Sequence, residues 1–304
     1  MKKSFPITAT FIDEISMDIG SENFSIKEWK KELKTMKSVG IDTIVFIRGG
    51  MQDRNKCIYP SKVFPTYFDE ENDFLGNMLK MAEKLKIKVF IGLYMATGNW
   101  NNGNYQEMTE QNRIFIDEIM ERYSKYMNNI HWYIPTEVCR DEFNIIPTLE
   151  NLIKLINEKT PGKKILLSPL YRTRVLESIE EEFSYEQTFE VWDNILRTVG
   201  EKIDYIAFQD GTAPINKLEG YLAAIKKVCD KYHIETWSNV ELFNRLGGAN
   251  FCPVEFEVLK YKIKIAKKYS KKLICFEFSH FMSPQSSRES GKRLFKRYKE
   301  YYSK

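Results

Sequence analysis

The chain has 304 residues, 43% hydrophobic and 29% charged, which is ordinary globular composition and enough length for one large core. Its formal charge of +4 is spread over lysine-rich helical stretches such as 260–272 instead of forming one dense basic block, which argues against a nucleic-acid footprint. Five cysteines (Cys57, Cys139, Cys229, Cys252, Cys275) are odd in number, scattered and without a CxxC pair, so they suggest neither a disulfide framework nor a zinc site.

The opening, MKKSFPITATFIDE, is broken by Pro6, Thr8 and Thr10 and has no apolar stretch of signal-peptide length; no later window approaches a membrane span. A reducing, cytoplasmic setting is the expectation, with a secreted protein whose signal has been removed as the alternative.

In chain order, eight short β-rich runs alternate with amphipathic helical patterns. The runs are 7–14, 41–48, 87–94, 130–137, 164–171, 203–210, 234–241 and 272–279. The helices are expected near 25–39, 72–86, 107–127, 144–159, 185–199, 217–232, 254–269 and 289–302. Strict alternation predicts a parallel sheet, and eight units predict closure into a (β/α)8 TIM barrel spanning 1–304 as one α/β domain. Connections from helix to strand are short (Val39-Gly40, Leu85-Lys86), whereas 49–71, 95–106, 172–184, 242–253 and 280–288 are long. All the long ones lie on the face where such barrels carry their active sites.

Alternate residues of a strand face the helices and the barrel interior. Counting back from the end of each run, one set (Val45 and Ile47, Val89 and Ile91, Trp132 and Ile134, Ile274 and Phe276) is apolar enough to pack under helices. The other set puts Glu14, Arg48, Tyr94, Glu137, Asp210, Asn239, Glu241 and Glu277 inside the barrel near its top. Unpaired buried charge costs several kcal/mol per ion, so such a cluster points to function. Glu137 and Glu241 hold the same offset in IHWYIPTE and IETWSNVE, at the ends of the fourth and seventh runs. Glycoside cleavage needs one carboxylic acid to protonate the leaving oxygen and one carboxylate to attack or to activate water, and this pair can supply both. A structural ion pair with Arg48 or Arg172 is the alternative use of either glutamate.

A sugar site also needs flat apolar faces and hydrogen-bonding groups. The loop ATGNWNNGNYQ (96–106) offers Trp100 for stacking, with Tyr105 and several amides around it; an Asn/Gly-rich surface turn is the plainer reading. Tyr94, Tyr133, Tyr171 and Trp237 are further candidates to line the pocket, with core the alternative for Tyr133 and Trp237, which fall a layer or two below the rim by parity. The Gly247-Gly248 pair after the seventh run lacks a P-loop lysine and reads as a flexible substrate loop. Three dispersed histidines (His131, His233, His280) are too few for a multi-histidine metal site, and no cofactor or metal is expected. The oligomeric state stays open.

The two glutamate positions resemble those of glycoside hydrolase clan A, whose barrels carry an acid/base glutamate after strand four and a nucleophilic glutamate after strand seven. The chain departs from the clan pattern at Thr136, where Asn is usual, and at Glu277-Phe278, where a Trp is usual. FIDEI (11–15), YIPTE, FQDG (208–211), SNVELF (238–243) and FEFSHFMSP (276–284) are similar to an uncharacterised bacterial family of glycosidase-like barrels known only as a domain of unknown function. The resemblance implies a retaining hydrolase of oligo- or polysaccharides, with Glu241 attacking the anomeric carbon and Glu137 as acid/base. Glu14, Arg48, Tyr94, Trp100, Asp210, Asn239 and Glu277 would contact sugar or orient the pair. An inverting enzyme with Asp210 or Glu14 as base, and a carbohydrate-binding barrel without catalysis, are the alternatives.

Overall fold

Eight parallel strands close into a barrel in the computed structural model, which describes residues 5–16, 20–96, 103–176, 178–246 and 250–303. In chain order the strands are β1 (Ile7–Ile12), β2 (Thr43–Phe46), β3 (Gly50–Met51), β4 (Lys56–Cys57), β5 (Lys88–Gly92), β6 (Tyr94–Met95) and β7 (Ile130–Ile134). They continue with β8 (Ile165–Leu167), β9 (Tyr205–Gln209), β10 (Glu235–Asn239), β11 (Phe243–Arg245), β12 (Phe251–Pro253) and β13 (Lys272–Cys275). The barrel runs β1-β2-β5-β7-β8-β9-β10-β13 and closes where β13 pairs with β1, Cys275 opposite Thr10. The fourth and seventh barrel strands are therefore β7 and β10.

The helices form where the 3.6-residue pattern put them: Ile26–Ser38, Phe74–Leu85, Tyr105–Arg122, Ile145–Lys159, Tyr185–Val199, Leu218–Lys231, Phe256–Tyr269 and Glu289–Tyr302. Two begin with a reciprocal capping box, Ser25 with Glu28 and Ser184 with Gln187, which satisfies backbone donors that a helix start leaves open. A short helix, Phe278–Phe281, follows β13. Among the described residues no helix is long and apolar enough to cross a membrane.

Two cores result. Ile44, Val89, Ile91, Trp132, Ile134 and Ile206 face outward under the helices. Ala9, Phe11, Val45, Ile47, Phe90, Tyr133, Leu166, Ala207, Trp237 and Ile274 fill the barrel, with Trp237 stacked on Tyr205 at 4.4 Å. This corrects the expected facing of five strands. Parity holds for β5, β7 and β10, but in β1, β2, β8, β9 and β13 the interior residues are the set that counting back from the run's end puts outside. A parallel strand buried on both faces is apolar on both, so its sequence carries no alternation by which to tell them apart.

Two additions dress the upper rim. The segment after β2 forms a three-stranded sheet in which β3 pairs with β4 and, in parallel, with β6. After β10, β11 and β12 form an antiparallel hairpin, Arg245 opposite Phe251.

Candidate active site

A pocket of about 730 Å³ opens at the C-terminal end of the barrel. Its floor is the top interior layer: Phe11, Ile47, Tyr133, Gln209, Asn239 and Phe276. Its walls come from the loops after β1 (Asp13, Ser16), β2 (Arg48, Arg54), β7 (Glu137) and β8 (Leu170, Leu176), and from beyond β10 and β13. That last arc carries Glu241, Arg245 and Phe251 on one side and His280, Phe281 and Arg288 on the other.

Glu241 sits two residues past the end of β10, and the chain there is pinned by a buried polar unit. Its N–H donates to Asp210 Oδ1 at 2.9 Å, its carbonyl accepts from Lys262 Nζ at 2.7 Å, and Lys262 and Asp210 form an ion pair at 2.6 Å. Lys262 reaches in from the helix Phe256–Tyr269, so three elements fix one backbone position. The Glu241 side chain is only 2% exposed, and its Oε2 accepts no hydrogen bond. Burial pushes its carboxyl up to about 8, with Asp210 and Glu137 adding repulsion and Arg245 and Lys262 opposing. The carboxyl lies against the bare α-carbon of Gly211, where an added Cβ would stand 1.7 Å from Oε2. Gly211→Ala is therefore expected to displace the Glu241 carboxyl and cut turnover at least tenfold with little loss of melting temperature; unchanged kinetics would refute this packing.

Glu137 lies three residues past β7 on the pocket wall, its side chain 37% exposed. Its Oε2 faces Arg48 Nη2 at 3.7 Å, while Arg48 Nε donates to Met95 Sδ at 3.1 Å. The ion pair weighed as an alternative use of Glu137 thus exists, but at the pocket wall. Asn239 lines the floor, its Nδ2 at 3.5 Å from Ser168 Oγ and its Oδ1 without a partner.

Of the remaining expected residues, the structure separates Glu14, Tyr94, Asp210 and Glu277 from the pocket. The Glu14 side chain is buried behind the wall, where desolvation holds its carboxyl well above the usual range, Glu22, Asp13 and Glu277 add repulsion and Lys56 opposes; its neighbour Asp13 lines the pocket instead. Tyr94 turns to the outer core and stacks on Phe64 at 4.2 Å. Asp210 lies beneath Glu241 as its anchor and is not among the lining residues. Glu277, fully buried, caps the short helix by accepting from His280 N–H at 2.6 Å, and burial raises its carboxyl well above the usual range. Its peptide bond with Phe276 is cis. Trp100 lies outside the described residues; Tyr105 opens the helix Tyr105–Arg122 and does not line the pocket.

Sequence reasoning missed the aromatic faces present here, Phe243, Phe251, Phe276 and Phe281. It also missed Gln209, whose Nε2 donates to Ser168 O at 2.9 Å, and the arginines Arg54, Arg245 and Arg288. Phe243 stands in SNVELF, Phe276 and Phe281 in FEFSHFMSP and Gln209 in FQDG, motifs noted for resemblance and not for lining, whereas Phe251 and the three arginines stand in none of them. Among the described residues no group of three His, Cys, Asp or Glu side chains is arranged to hold a metal ion.

Comparison with solved structures returns barrels of sugar-cleaving enzymes. One from Bacteroides thetaiotaomicron VPI-5482, provisionally designated an alpha-L-fucosidase, is 33% identical, with 99% of this chain and 94% of that chain covered and a TM-score of 0.91. The endo-1,4-beta-D-mannanase of Thermotoga petrophila RKU-1 is 10% identical, covering 97% and 99% of the two chains at a TM-score of 0.62. The catalytic domain of the beta-amylase of Paenibacillus polymyxa is 10% identical, covering 99% of each at 0.58, and at such identities the likeness is one of fold. Comparison with curated proteins gives no match. A family model described as Domain of unknown function (DUF4434) matches residues 7–288. With that match spanning all eight barrel strands, this glycoside hydrolase-like TIM barrel belongs to the DUF4434 family.

Proposed function

We propose that the chain hydrolyses a glycosidic bond of an oligo- or polysaccharide by double displacement, with Glu241 as nucleophile and Glu137 as acid/base. One observation carries this reading. A buried carboxyl with a free oxygen, held by a dedicated anchor, lines a pocket of sugar size, and a second carboxylate near enough to repel it stands on the wall. An unsatisfied buried carboxyl is costly, and a substrate's anomeric carbon would be its missing partner. The chemistry then runs in two steps. Glu241 Oε2 forms a bond to the anomeric carbon as the bond to the leaving oxygen breaks, that oxygen taking the Glu137 proton; water, giving its proton back to Glu137, then displaces Glu241. The relative designated an alpha-L-fucosidase supports aryl α-L-fucosides as the first substrates to try.

One observation favours the reverse roles. With burial pushing its carboxyl up to about 8, Glu241 holds its proton at neutral pH, as a general acid must. Both assignments need the pair to hold one proton between them, so kcat/KM falls above about 8 in either case, and chemical rescue is the measurement that decides. Azide added to a Glu241→Gly variant gives a glycosyl azide of inverted configuration if Glu241 is the nucleophile, and one of retained configuration if it is the acid. Absence of turnover across a broad panel of aryl glycosides would sink the reading in favour of a sugar-binding barrel.

A further inference from the structure

The pocket carries more positive charge than a neutral sugar requires. Among its described lining residues four are arginines, Arg48, Arg54, Arg245 and Arg288, against the acids Asp13, Glu137 and Glu241. Arg48 is engaged with Glu137, and Arg288 Nε donates to His280 Nε2 at 3.1 Å. Arg54 and Arg245 differ: the Nε of each is buried and has no hydrogen-bond partner. Arg54 has Glu22 nearby, but that carboxylate pairs with Lys56 at 3.9 Å. Arg245 is held over the faces of Phe243 and Phe251, 5.5 and 5.3 Å from the ring centroids, a mount that fixes the guanidinium while leaving its N–H edge unused. A planar donor fork, oriented and without an acceptor, matches a carboxylate or sulfate.

Resting on the glycosidase reading, we propose that the pocket selects a glycan bearing an oxyanionic substituent, a uronate carboxylate or a sulfate ester, received by Arg245 and Arg54. The two arginines stand on the loops after β10 and β2, with those after β13 and β1 between them, so the anionic group lies on that arc. The opposite wall, with Leu170 and Leu176, is apolar and receives the rest of the glycan.

The test uses matched glycans titrated calorimetrically into Glu241→Gln protein, which binds without turning over. Tetragalacturonate against galactotetraose probes the carboxylate; a sulfated fuco-oligosaccharide against its desulfated form probes the sulfate ester. The expected result is about tenfold tighter binding of one anionic member, lost in Arg54→Met/Arg245→Met and weakened as salt is raised. Equal binding within both pairs, no binding by any of the four, or a preference that survives the double variant overturns the proposal. Turnover by the wild-type chain is scored separately. Cleavage of neutral glycans without anionic preference removes this inference and leaves the glycosidase reading standing. Anionic preference without cleavage of any glycan keeps the inference and removes the catalytic role of the pair.

Discussion

Glu241→Gln is expected to abolish turnover, by about 10³-fold or more, and at the same time to make the folded chain more stable above neutral pH. The gain follows from linkage. Below pH 4.5 both folded and unfolded chains hold the Glu241 proton and the group contributes nothing to the balance. Between 4.5 and about 8 only the folded chain holds it, so wild-type stability falls as pH rises, and above about 8 the loss is complete. At about 1.4 kcal/mol per pH unit, and allowing for relaxation around the site, the loss amounts to roughly 2–4 kcal/mol at pH 8 and under about 1 kcal/mol at pH 5. The isosteric amide escapes that titration. Thermal unfolding of both proteins at the two pH values checks it: the variant should melt several degrees higher at pH 8 and close to wild type at pH 5. Equal melting at both, or a variant that still turns over, would contradict the environment described for this carboxyl.

Lys262→Met should have the largest effect on stability. The ammonium is buried between the Asp210 carboxylate and the Glu241 carbonyl, and removing it strips the carbonyl of its donor and leaves the Asp210 charge with only the Glu241 N–H. An uncompensated buried charge costs about 3–5 kcal/mol, part of which Asp210 recovers by taking up a proton. Turnover should fall as well, because the backbone of Glu241 loses one of its two anchors. Asp210→Asn combined with Lys262→Met should recover much of the stability, since no charge is then stranded, with a coupling energy on the order of 2 kcal/mol. Denaturant unfolding of the two single variants and the double one supplies the cycle, and simple additivity would mean that the pair is not a unit.

How much of this was legible in the chain follows from what each residue type can signal. The alternation of strands and helices was readable because apolar runs bounded by Gly, Pro and polar turns leave little other choice, and each helix appears within a few residues of its expected span. Strand ends were read too long: β7 stops at Ile134 and β10 at Asn239, so Glu137 and Glu241 stand on the loops beyond. Facing was the weak point. A slip of one residue exchanges Asp13 for Glu14 and Phe276 for Glu277, and nothing in two-sided apolar strands forbids it. Lys262 was invisible for another reason, since a lysine in a lysine-rich helix looks solvated until the neighbouring Asp210 is known.

The small sheet made by β3, β4 and β6 has a consequence for how this pocket can change over evolutionary time. Its ladder hydrogen bonds tie the segment carrying Arg54 to the end of β5, so insertions or deletions between residues 50 and 57 would break pairing as well as reshape the wall. The wall around Leu170 and Leu176 is held by one isolated bridge, Leu170 beside Gln209, and by no such ladder among the described residues. Drift in glycan preference among relatives should therefore accumulate on the Leu170–Leu176 side, as changes in loop length, while the Arg54 side varies by single side chains on a conserved frame.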